Sequence, residues 1–137
     1  MGDTAVSQLS TISSELDRIA ANHAPLRLYV SGLGCFPNPK RPRVIWAGLE
    51  GEITAVQSLK QDIDAILEPL GWARETRPFK PHLTLGRVKD SRKLQGIEWG
   101  TEVKEMAAPV TAVHLIESQL TPQGPIYSTY HTSLLAG

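Results

Sequence analysis

A chain of 137 residues, 41% hydrophobic and 20% charged, has the material for one domain with one real core. Its 14 basic and 14 acidic side chains cancel, so no global field draws it to nucleic acid. No apolar run approaches the roughly 20 residues of a membrane span, and the N-terminus lacks the basic-then-apolar pattern of a signal peptide.

The only cysteine, Cys35, cannot form an intramolecular disulfide, which predicts a protein of the reducing cytoplasm. No local signature marks Cys35 as a nucleophile.

In chain order, Asp3 or Thr4 is placed to cap a helix beginning near Ala5. Val6, Leu9, Ile12, Leu16 and Ile19 recur at three- and four-residue steps and form one apolar stripe. The helix should stop before Pro25. Residues 26–30 alternate as a strand does, after which Gly32, Gly34, Pro37, Pro39 and Pro42 predict a loop. Residues 44–49 are continuously apolar, like a buried strand. A second helix carries Ile53, Val56, Leu59, Ile63, Ile66, Leu67 and Leu70 on one face, with Gly71 as its stop. A strand through His82 follows. Residues 89–108 are ambiguous, with short helices expected around 91–95 and 102–107. A strand over 110–118, a turn at Thr121-Pro122-Gln123-Gly124-Pro125 and a last strand over 126–135 pair as an antiparallel hairpin. Hairpin-like connections predict an α+β domain with a mostly antiparallel sheet, continuous over 1–137 and without repeat, linker or low-complexity segment.

The chemistry concentrates in Arg77-Pro78-Phe79-Lys80-Pro81-His82-Leu83-Thr84-Leu85-Gly86-Arg87-Val88. Two prolines stiffen the approach to a short strand. Alternation along it puts His82 and Thr84 on one face and Leu83 and Leu85 on the other. An imidazole beside a hydroxyl, with Lys80 before and Arg87 after, suits a phosphate. Strict alternation sends Arg87 to the Leu83 face, away from His82, unless a strand end or bulge redirects it. Seven cations from Arg74 to Lys93 face only Glu75 and Asp90, and Lys40, Arg41 and Arg43 form a second small cluster.

His-x-Thr alone is a weak pattern, and His131-Thr132-Ser133 resembles it without glycine, proline or cation support. His131 therefore reads as a strand histidine of no special role. His114 reads as structural or surface, and His23 as a cation at a helix end. No histidine stands at metal-ligand spacing, so neither a bound metal nor another cofactor is expected. Trp46 and Phe79 read as packing residues among apolar neighbours.

Three segments in order carry a resemblance. They are Gly32-Leu33-Gly34-Cys35-Phe36-Pro37 leading into Pro42-Arg43-Val44-Ile45-Trp46-Ala47-Gly48, the Arg77–Arg87 segment, and Glu117-Ser118-Gln119-Leu120-Thr121-Pro122-Gln123-Gly124-Pro125-Ile126-Tyr127. Together they resemble the RNA 2′,3′-cyclic phosphodiesterase family, also called the 2′-5′ RNA ligase family, within the two-histidine phosphoesterases. The resemblance implies a two-lobed α+β fold with antiparallel sheets and flanking helices. It also implies two His-x-Thr/Ser-x motifs, in which His82-Leu83-Thr84-Leu85 is the second and His82 the proton acceptor. In the family the first motif precedes a segment like Gly2-Asp3-Thr4, which implies that the N-terminal strands carrying the proton donor are missing here.

The activity implied is hydrolysis of 2′,3′-cyclic phosphate ends of RNA, or of small cyclic nucleotides, to 2′-phosphates, with RNA ligation as the reverse. No metal is implied. The second reading, from a different class, is a non-catalytic protein that binds phosphorylated nucleotides or a protein partner. Missing strands would leave a sheet edge open, which predicts a homodimer through that edge.

Overall fold

The computed structural model describes residues 1–89 and 106–136. The helix expected over 91–95 lies outside these residues, as does most of that expected over 102–107. The described end of the latter, Met106–Ala107, is a strand and not a helix. The reason is an available sheet edge: the pair bonds antiparallel to its neighbour at Tyr29 and Val30, and the Ala108 amide donates to the Leu28 carbonyl at 2.8 Å.

The chain divides into two compact units, Met1–Leu26 with Gln57–Arg77 and Val110–Gly137, and Arg27–Val56 with Pro78–Pro109. Its elements are helix α1 (Val6–Ala20), strands β1 (Leu28–Phe36) and β2 (Val44–Gly51), helix α2 (Ile53–Leu67), then β3 (His82–Arg87), β4 (Met106–Ala107), β5 (Ala112–Thr121) and β6 (Gly124–Leu134). This is an α+β fold with antiparallel sheets.

In the first unit, α1 buries the later part of its predicted stripe. Ile12 is 1% exposed, and Leu16, Ile19 and Ala20 are buried with it, whereas Val6 is open to solvent. Neither Asp3 nor Thr4 caps the helix. Ala5 takes the extended N-cap conformation, so Thr4 stands one residue too early, and its hydroxyl donates to the Gly2 carbonyl instead. The helix packs against the β5–β6 hairpin. A left-handed Gly124 closes the hairpin turn, where the Thr121 hydroxyl donates to the Gly124 carbonyl.

His131 has a partner that no linear pattern announces. Its Nε2–H donates to Oδ1 of Asp17 on α1 at 2.8 Å, and the Ser133 hydroxyl donates to the same oxygen at 2.7 Å. These bonds, Ser133 first and His131 second, hold the Asp17 carboxyl below its ordinary value. A lowered carboxylate pKa contributes stability above the ordinary carboxylate range and loses it as pH falls through the folded-state value. Ser133→Ala should therefore raise the Asp17 pKa and bring that acid loss to higher pH. Carboxyl-carbon NMR titration reads the shift directly, and an unmoved Asp17 titration would contradict the assignment.

The sequence reading of α2 holds closely. Pro69 tightens its end into a 3-10 turn at Glu68–Leu70, and Gly71 stops it at φ 112°. Within the first unit, Gln8 Nε2 donates to the Leu70 carbonyl at 3.0 Å. His23 Nε2–H donates to Asp62 at 2.6 Å, so this histidine finds a carboxylate as well as a helix end.

The second unit is a four-stranded antiparallel sheet in the order β3-β2-β1-β4. The expected loop after residue 30 starts only at Pro37, because Gly32 and Gly34 lie inside β1. A register shift between Val30 and Leu33 absorbs the irregularity and keeps Leu28, Val30, Leu33 and Cys35 on one face. Ala47 joins that face, which holds the sheet's buried apolar residues Leu28, Val30 and Ala47.

β2 departs from the expected buried strand: only Ala47 is buried, and Val44, Trp46 and Gly48 line the opposite face half-exposed. It is apolar on both sides because that second face is the floor of the site described next.

Candidate active site

β3 is an edge strand, entered through Pro78 and Pro81. Pro81 has no N–H to leave unpaired, and its carbonyl accepts from the Leu49 amide at 3.3 Å, extending the ladder by one step. The register then sets which side chains share a face. His82 lies opposite Gly48, Thr84 opposite Trp46, and Arg87 opposite Val44. Directly opposed residues point to the same side of a sheet, and Val44, Trp46 and Gly48 are two apart on β2. His82, Thr84 and Arg87 therefore rise from one face.

That corrects the expectation for Arg87. Alternation fails because the β2–β3 register shifts between Ile45 and Trp46, leaving Leu85 as the extra residue. The bulge rotates Arg87 from the Leu83 side to the His82 side. Lys80, the other flanking cation, lies before the strand with its side chain exposed. What it supplies to His82 is backbone: its carbonyl accepts from His82 Nδ1–H at 2.8 Å. A carbonyl can only accept, so Nδ1 carries the proton in the neutral ring and Nε2 is left with its lone pair. An imidazole held in that tautomer is prepared to take a proton at Nε2.

The floor beneath is aromatic and close-packed. Trp46 lies over Gly34, its direct partner on β1, where a Cβ would collide with the indole Cζ2 and Cη2. Phe36 sits 5.3 Å from Trp46 between ring centroids and meets the His82 ring edge-on at 5.4 Å and 83°. The Trp46 and His82 rings are 6.1 Å apart. Trp46 is thus a packing residue, as its neighbours in the sequence suggest. Phe36 was not legible as part of the site: 46 positions separate it from His82, and only the β1–β2–β3 pairing joins them.

Cys35 is on the opposite face of β1, and desolvation pushes its thiol above the ordinary value, away from the reactive thiolate. Of the other histidines, His114 shares a hydrogen bond with Thr132 across the hairpin, and His23 and His131 are engaged by Asp62 and Asp17. Among the described residues, no three His, Cys, Asp or Glu side chains converge as a metal ion would require. No helix among them is long and apolar enough to cross a membrane.

The family profile described as the 2′-5′ RNA ligase superfamily matches residues 2–122. The chain belongs to this superfamily. A protein of Aeropyrum pernix named RNA 2′,3′-cyclic phosphodiesterase is 37% identical over 110 residues, covering 77% of this chain and 62% of its own length. A second of that name, from Methanothermobacter thermautotrophicus, is 35% identical and is covered over 70% of its length for 93% of this chain. A solved structure from Thermus thermophilus superposes with a TM-score of 0.78 at 30% identity, covering 99% of this chain and 74% of that one. The chain thus spans between about three-fifths and three-quarters of the length of these three proteins. The His82 strand, the Gly34–Trp46 contact and the β5–β6 turn all fall in the three segments that carried the resemblance.

Proposed function

We propose that the face formed by His82, Thr84 and Arg87 is the proton-accepting half of an RNA 2′,3′-cyclic phosphodiesterase site. The observation that carries this reading is the His82 tautomer: Nδ1–H is tied to the Lys80 carbonyl, so Nε2 is the basic atom, and the Thr84 hydroxyl stands two residues along the same face. A water attacks the phosphorus of the cyclic phosphate and its proton passes to Nε2 of His82. The Thr84 hydroxyl donates to a non-bridging oxygen, and the Arg87 guanidinium offsets the charge those oxygens carry. The phosphorus–oxygen bond to the leaving ribose hydroxyl breaks, and that oxygen takes a proton from solvent in this chain, whose other histidines His23, His114 and His131 are held by Asp62, Thr132 and Asp17. The resemblance assigns this proton transfer in the family to the histidine of a first motif. The product is a 2′-phosphate end. RNA bearing 2′,3′-cyclic phosphate ends is the substrate class, and small cyclic nucleotides are the convenient probes.

The test is ³¹P NMR of adenosine 2′,3′-cyclic monophosphate incubated with the protein. Opening to the 2′-phosphate supports the reading. Binding without opening would leave His82 and its neighbours as a phosphate-binding face, and the hydrolase reading of this chain would fall.

The hairpin supports a proposal about assembly. From Ser118 onward no residue is Asp, Glu, Lys or Arg. The charges that usually blunt sheet edges are absent there, and among the described residues β5 and β6 pair only with each other. Ile116, Leu120, Tyr127 and Leu134 share the face turned away from α1 and are all more than half exposed. Covering them in two copies would bury roughly 1,000 Å², the threshold of a specific interface. The occupant proposed is a second copy, whose matching edge is equally uncharged. Sedimentation velocity across a concentration series should show a dimer that Leu120→Lys converts to monomer. A wild-type chain that stays monomeric at the highest concentration would contradict it.

A further inference from the structure

We infer that Phe36 is a nucleobase-stacking position, so that the His82 face takes a nucleoside phosphate in preference to a bare phosphate. This rests on the phosphate reading of His82, Thr84 and Arg87 and adds to it the part of the ligand that those residues do not touch.

Phe36 ends β1 and is 41% exposed, although it belongs to a tight aromatic cluster. Its ring is held on one side by Trp46, which is itself pinned over Gly34, and its contact with His82 is edge-on. A phenyl ring fixed by its neighbours and still partly open to solvent is a ready stacking surface, because little side-chain freedom remains to be lost when a base settles on it.

The register gives the ring its place. Phe36 lies opposite Val44, and Val44 lies opposite Arg87, so one row across three strands ends in an aromatic ring at β1 and a guanidinium at β3. The next row is Gly34, Trp46 and Thr84, and beyond it stand Gly48 and His82. Phosphate-directed groups thus occupy the β3 side and the exposed ring the β1 side of the same face. A phosphate on His82 and Thr84 leaves its nucleoside within reach of Phe36. Stacking on a phenyl face accepts every base, and it favours purines over pyrimidines by their larger surface.

The experiment is isothermal titration of wild type, Phe36→Ala and Phe36→Tyr with two probes, inorganic phosphate and adenosine 2′-monophosphate. Stacking predicts that Phe36→Ala weakens the nucleotide by about 5- to 150-fold and leaves inorganic phosphate within about twofold. Phe36→Tyr, which keeps the ring, should retain the nucleotide affinity. Equal loss of both probes in Phe36→Ala would overturn the inference, because the ring would then serve only to position His82. Unchanged nucleotide affinity in Phe36→Ala would overturn it as well.

His82→Ala separates this from the phosphate reading. If it leaves inorganic phosphate binding unaltered while Phe36→Ala still weakens the nucleotide, the phosphate reading fails and the stacking position stands. Absence of measurable binding of either probe to wild type would overturn both.

Discussion

Replacing His82 by alanine is expected to lower turnover of adenosine 2′,3′-cyclic monophosphate by about 10²–10⁴-fold, the usual contribution of one positioned acid–base group. The loss should fall on kcat, because the imidazole Nε2 takes the proton only as the attacking water reacts. In the proposed mechanism Thr84 and Arg87 act on oxygens that are charged before and during the reaction, so Arg87→Ala should fall partly on KM. A charge-assisted hydrogen bond of about 1.5–3 kcal/mol corresponds to roughly a ten- to hundredfold loss in kcat/KM. Steady-state kinetics on the three single variants checks the division. A His82→Ala protein that keeps its rate within tenfold would remove His82 from the chemistry. A loss of kcat/KM shared between kcat and KM for Arg87→Ala would fit the bulge having turned the guanidinium toward the phosphate.

Gly34→Val is expected to destabilise the protein by about 1–3 kcal/mol, the usual result of forcing atoms into a filled space. The new side chain would occupy the volume of the Trp46 indole, which fills the space over Gly34. The indole cannot simply rotate away, because its other neighbours are Phe36 and His82. Stability and site are therefore expected to fail together. Urea unfolding should show a lower midpoint at an unchanged slope, and the fraction that remains folded should bind adenosine 2′-monophosphate more weakly than wild type. The contrast is Gly86→Ala, in the same sheet, where a Cβ meets nothing within 4 Å. A Gly34→Val protein as stable as Gly86→Ala would mean that the indole does not need the space.

Much of the candidate site was legible in the residues between Arg77 and Arg87. His82 and Thr84 fall on one face because a strand alternates, and the flanking prolines and cations reinforce the same segment. The α2 stripe and its Gly71 stop and the β5–β6 hairpin were equally local signals, set by periodicity and turn chemistry over neighbouring residues. The order of three such segments was enough to point to the superfamily.

What the sequence left undecided depends on pairing between strands distant along the chain. The face of Arg87 follows from a register shift against β2, which a one-strand alternation rule cannot contain. Gly32 and Gly34 suggested a loop, yet Gly34 is in a strand because the Trp46 indole needs the room of its missing side chain. Phe36 joins His82 only through two strand pairings, and His131 acquires Asp17 only once α1 packs on the hairpin. Alternation, capping and glycine stops are short-range physics and are written along the chain. Register, bulges and side chains meeting across a sheet arise when separate segments compete for the same hydrogen bonds and the same space, and the tertiary structure alone resolves that competition.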